Sequence, residues 1–362
     1  MSARDKRLLW ELRKQGRGLK NHFKKASKFL IKCQIAAPYV TKGTLLGCVC
    51  PWEIGESADE GAFPIVEDFH DTLEAVWVWS LYTKVSGNMS FRSNIDRALE
   101  YVTSNWNRFI GNEERTGKSL YDCSYVLFSG TLFASVFDEK KYRVQFLLAG
   151  NRLAEYLSTL ESTDGREYSD PFWMAHCLGL AATKLRQKRA RKAMDAAVPF
   201  SRVEEEPAHV GPGGHDFFSK NANVALALIS CFGEESKKIL LTKFLPRVPA
   251  SFVVRHADEN AWNAHLASAL GKSYVLTRRD EFLRYYLLIM NELAKRDNRS
   301  SAALPRSPSF GRRESWVTFF YAHAYASAIK SLTDWTWSTE HCKGNVKQRE
   351  PGINMVAAMK LT

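Results

Sequence analysis

The densest group of chemically capable side chains is the run Asp68-Phe69-His70-Asp71. Asp68 and Asp71 are three residues apart, so on a helix they share a face. Glu74 follows one turn on, close to Trp77. Neighbouring carboxylates drive their proton affinities apart, so an acid and a base can coexist at neutral pH. Cleavage of a glycosidic bond requires such a pair, flanking the bond from opposite sides. Asp122, Asp216 and Asp258 are the candidates for the second member. We expect Asp71 and Asp258 to be the acid–base pair, with Asp68 and His70 in support.

Six of the nine histidines (His70, His176, His209, His215, His256 and His265) fall just before or just inside long apolar segments. Beside them stand Asp122, Trp173, Asp216, Asn260, Trp262, Arg312, Arg313 and Trp316. With His176, His215 and His256 these make the expected substrate-binding set. Trp173, Trp262 and Trp316 offer flat apolar faces to sugar rings, while Asn260, His265, Arg312, Arg313 and Tyr321 suit a uronate. A plainer account competes with this one. Aspartate at a helix start caps backbone N–H groups for about 1 kcal/mol, and Trp77 and Trp79 suit a core. His215, His256 and Asp258 are chemically able to bind zinc, but their spacing does not call for it. Cys48-Val-Cys50 lacks the second pair of a zinc ribbon. Gly211-Pro-Gly-Gly214 is not followed by the Lys-Ser/Thr of a phosphate loop. We assign no metal or cofactor.

Something must bring these residues together. About every 50 residues a polar cluster opens a segment that is apolar on nearly all sides: 69–86, 121–137, 171–185, 216–232, 259–275 and 314–331. Between them lie amphipathic segments: 5–33, 91–110, 139–160, 186–198, 234–245 and 279–296. A helix that is apolar all round is buried, and a striped one keeps one face in water. Strict alternation therefore predicts six inner helices enclosed by six outer ones. The inner helices carry small residues such as Ala175, Gly179, Ala225, Ala264 and Ala322 that permit close approach. All six would enter from one face, whose helix N-termini attract anionic or strongly polar ligands. The loops are unequal and no consensus repeats, which argues against the competing right-handed solenoid. No linker divides the chain, so we expect one domain over 1–362, with 5–33 as an outer helix and 333–362 as a C-terminal tail.

This pattern resembles the six-hairpin (α/α)6 toroid over nearly the whole chain, as a likeness of fold and not of signature motif. Toroidal glycosidases and polysaccharide lyases carry their catalytic groups on such entry loops and first turns. The resemblance thus implies a carbohydrate-active enzyme, a hydrolase or lyase acting on a polar saccharide, expected to be anionic. The same fold hosts terpenoid cyclases and prenyltransferases, so an isoprenoid cyclase or transferase is the alternative. The cyclase Asp-x-Asp-Asp motif is absent. Asp170-Pro-Phe-Trp-Met-Ala-His176-Cys177 is similar to the His-bearing helix of prenyltransferases, but no matching cysteine begins a neighbouring inner helix. A binding or scaffold protein without chemistry is the second alternative.

Net charge is +12, and residues 1–35 carry +9 of it on eleven Lys and Arg against two acids. Their amphipathic pattern admits an anionic membrane surface or nucleic acid as partner. Lys184–Lys192 is a second basic run, suited to a solvated helix face. No run of about 18 apolar residues suggests a transmembrane helix. Seven cysteines, several on apolar helical faces, point to a reducing, cytoplasmic setting.

Overall fold

The computed structural model describes residues 3–36, 45–54, 65–111, 117–137, 142–159, 171–180, 215–248, 260–297 and 299–329. Within them the protein is all-α, with isolated bridges but no strand. Its helices are α1 (Ala3–Cys33), α2 (Phe69–Ser86), α3 (Arg92–Ser104), α4 (Gly117–Phe137), α5 (Arg143–Thr159), α6 (Pro171–Leu180) and α7 (His215–Phe232). The one-turn α8 (Lys237–Ile239), α9 (Asn260–Thr277), α10 (Asp280–Arg296) and α11 (Ser315–Ser327) complete the set. The expected outer helix over 186–198 and the 333–362 tail lie outside the described residues.

Local sequence explains where α2 starts and stops. Asp68 takes an extended backbone and accepts the Asp71 N–H, the N-cap arrangement. Gly87 adopts φ 68° at the C-terminal end, and its N–H bonds the Thr83 carbonyl. Between them nearly every side chain is buried, as the all-round apolar pattern predicts. α1, α3 and α10 bury one stripe each. The expected outer segment 234–245 is an irregular run of short helical turns over 233–247.

The buried helices pack in chain order: α2 on α4, α4 on α6, α6 on α7, α7 on α9 and α9 on α11. α11 then packs on α2. α1 covers α2 and α11, α3 covers α2, α5 covers α4 and α6, and α10 covers α9. α4 begins four residues earlier than expected, at Gly117 rather than 121. Asp122, expected at the opening of this segment, is fully buried. Ser119–Phe137 of α4 is long and apolar enough to cross a membrane by composition, with mean hydropathy 1.3, yet 67% of it is buried inside the protein.

Residues 45–54 form a strap between elements far apart in sequence. The Cys50 and Ile54 N–H groups donate to the carbonyls of Cys33 and Lys32 at the end of α1. Ser315 N–H, at the start of α11, donates to the Pro51 carbonyl. Gly47, at φ 90°, lies so close to the Arg97 carbonyl that a Cβ there would stand 2.1 Å from it. Only glycine supplies both that dihedral and that approach.

Candidate functional site

The first turn of α2 presents His70 between three carboxylates. Its Nδ1 is 3.0 Å from Asp68 Oδ1 and 3.8 Å from Asp122 Oδ1, and its Nε2 is 3.5 Å from Asp71 Oδ1. His70 and Asp68 are partly exposed, whereas Asp71 and Asp122 are buried. The imidazole and Asp68 thus meet solvent, with Asp71 and Asp122 behind them. Tyr121 and Tyr125 flank it, each ring centroid 5.6 Å away, and their hydroxyls are 3.0 Å apart.

Behind His70, Ser315 Oγ bridges Asp71 Oδ2 and the Cys50 carbonyl, tying α2, the strap and α11 together. Burial pushes the Asp71 carboxyl well above the usual carboxylate range, and the Asp68 charge adds to the rise. One turn below, burial raises Glu74 in the same way, with Asp71 and Asp68 contributing and the Tyr125 hydroxyl opposing. Both groups therefore hold protons to a higher pH than a solvated acid. Ligand atoms of Asp68, His70 and Asp71 lie within 4.8 Å of one another, so this trio is also the one able to hold a cation among the described residues.

The remaining expected residues divide into groups. Trp262 and Trp316, in the first turns of α9 and α11, are partly buried neighbours with centroids 6.3 Å apart. The Trp316 indole N–H donates to Glu314. These contacts place the N-termini of α9 and α11 together, as Ser315 places those of α11 and α2. Asn260 clamps the loop before α11: its amide donates to the Pro305 carbonyl and accepts from Arg296. Arg313 pairs with buried Glu53 at 2.8 Å, and Arg312 stacks over Trp52 at 3.9 Å. Both arginines thus hold the strap.

Trp173 and His176 are buried in the interior rather than set around the opening. Trp173 lies in the first turn of α6 and His176 one turn further in, and the ring of Trp173 packs against Tyr125, Phe128 and His265. His176 Nδ1 faces the Leu226 carbonyl, and His265 Nε2 meets Asn223 Oδ1 at 2.6 Å. With His323, stacked on Phe319, they form a histidine-rich centre. Burial lowers all three, His265 to about 3, and the charge of Lys272 lowers them further. His215 and Asp216 open α7, but their side chains are outside what the structure describes, as are His256 and Asp258 entirely.

Sequence reasoning missed Ser315, Glu53, Tyr125, Asn223 and His323 as members of these networks. Glu53 alone carried a signal, as an acid in a loop otherwise rich in apolar and Gly/Pro residues. In comparisons with models of protein families, with curated proteins and with solved structures, nothing matches the chain. What stands is an all-α protein with a histidine held among carboxylates at one helix end.

Proposed function

We propose that the chain is a six-hairpin (α/α)6 toroid and a carbohydrate-active enzyme, a hydrolase or lyase whose proton-transfer group is His70. The fold reading rests on the succession of helix contacts, which returns from α11 to α2. The functional reading rests on one observation: a partly exposed imidazole within 3.0 to 3.8 Å of Asp68, Asp71 and Asp122. Imidazole exchanges protons near neutral pH, and a hydrogen-bonded carboxylate fixes its tautomer and steadies its cationic form. Asp68 does this at Nδ1, leaving Nε2 toward Asp71. In hydrolysis the base takes a proton from water and the acid gives one to the glycosidic oxygen. In a lyase the base takes a carbon-bound proton beside a uronate. Tyr121, Trp262 and Trp316, each partly exposed, supply ring faces and polar atoms of the kind that sugars engage. The expected partner Asp258 lies outside the described residues and stays in the proposal on the strength of the sequence alone.

The test is turnover of a panel of neutral and uronic oligosaccharides, with products identified by mass spectrometry. At least one saccharide should be cleaved. His70→Gln should lower kcat by about 10²- to 10⁴-fold, the range of general acid–base catalysis. Asp71→Asn should lower it while leaving the fold intact by circular dichroism. A panel left uncut, with Mg²⁺-dependent turnover of an allylic diphosphate instead, would transfer the protein to isoprenoid chemistry.

A further inference from the structure

The outer face of α1 has no part in the site described above. α1 is 31 residues long, and at 1.5 Å per residue the stretch from Lys6 to Lys32 runs about 40 Å. Its inner stripe, including Leu19, Phe23, Ala26 and Leu30, is buried against the rest of the molecule. The solvent face repeats a basic residue every three or four positions from Arg13 through Arg17, Lys20 and Lys24 to Lys28, with Lys6 two turns before, and all six are exposed. No acidic side chain described on α1 is exposed, and Glu11 is partly covered and paired with Arg7. Two large apolar side chains share this face, Trp10 at 55% exposure and Ile31 at 36%. The Lys14 ammonium sits over the Trp10 ring.

We propose that this face is a docking surface for an anionic lipid bilayer. A straight row of cations on the outside of a rigid body matches a plane of negative headgroups, where every charge acts at once. A nucleic-acid duplex curves away from such a row, and phosphate contacts alone give no reason to expose tryptophan. At a headgroup layer an exposed indole is a stable anchor. The apolar stripe of α1 is committed to the core, so the helix cannot turn over and insert. Attachment is therefore peripheral, driven by charge and reversed by salt.

The experiment is co-sedimentation of the full chain with vesicles of phosphatidylcholine alone and of phosphatidylcholine with 30 mol% (about a third) phosphatidylserine, a cytoplasmic-leaflet type of charge. Binding should require the serine lipid and fall steeply between low and physiological salt. Lys20→Ala with Lys24→Ala and Lys28→Ala should weaken binding by about fivefold per charge removed, given the usual contribution of a basic residue near such a surface. All three are exposed, so the melting temperature should not move. Trp10→Ser should weaken binding with the charge nearly constant. Equal binding to both vesicle types would overturn the proposal, and so would binding to a DNA or RNA duplex with none to vesicles. Wild-type affinity in the triple variant would overturn it as well. None of these outcomes depends on the activity assigned to His70.

Discussion

His265 shows how single residues set the pH range of the fold. Its Nε2 meets Asn223, and its Nδ1 is buried without a hydrogen-bond partner. His176, His323 and Lys272 surround it as other basic groups. Burial holds its pKa at about 3 against an ordinary 6.5. The unfolded chain takes up a proton below 6.5 that the folded chain refuses. The stabilisation is thus complete above 6.5 and is lost as pH falls toward 3, by about 1.4 kcal/mol per unit. Buried His22, His176 and His323 act in the same sense. Asp71 and Glu74, raised by burial, act in the opposite sense: their effect falls as pH rises from the ordinary carboxylate range. A variant isolates one contribution. His265→Asn should lose about 2 kcal/mol less than wild type between pH 7.5 and pH 5, measured by urea unfolding. Parallel curves for the two proteins would show that His265 is protonated in the fold.

At the scale of elements, the alternation of all-round apolar and striped segments was legible because burial acts along each helix. Nearly all of α2 is buried and its limits match the expected 69–86, since a capping aspartate and a left-handed glycine are local signals. Element starts governed by tertiary packing were not legible. α4 is already helical at Gly117, a turn before Tyr121, and Asp122 is buried among its neighbours. Close approach between helices was legible only as small-residue composition. Gly271 gives it a location: a Cβ there would lie 2.3 Å from Ser327 Oγ and 2.9 Å from the Ala328 backbone nitrogen. Gly16 of α1 has open space around its Cβ position. Gly271→Ala should therefore destabilise by about 1–3 kcal/mol through overpacking. Gly16→Ala should stabilise by up to about 1 kcal/mol through helix propensity. If thermal unfolding moved both variants the same way, α9 and α11 would not meet at Gly271.

At the scale of the whole molecule, the decisive contacts join residues that no local pattern relates. The carboxylates around His70 were legible in part, because Asp68 and Asp71 are neighbours in sequence. The tie that brings α11 to them was not: Arg313 donates to Glu53 across 260 residues, and Ser315 reaches Asp71 across 244. Glu53 also accepts from Lys32 at the end of α1, so this one buried acid links α1, the strap and the segment that enters α11. Arg313 lies mostly out of water over the Phe29 ring. Removing the acid takes Glu53 from a guanidinium that is mostly out of water, and breaking a buried ion pair costs about 3–5 kcal/mol. Lys32 is more than half exposed and recovers hydration, so its share of the loss is small. Glu53→Ala should therefore lower the unfolding free energy by about 3 kcal/mol. The amides of α1 near Cys33 and of α11 near Ser315 should lose hydrogen-exchange protection together, because the strap bonds to both. Loss confined to residues 45–54 would mean that the strap lies on helices that hold together without it, and that packing of α11 on α2 alone joins them.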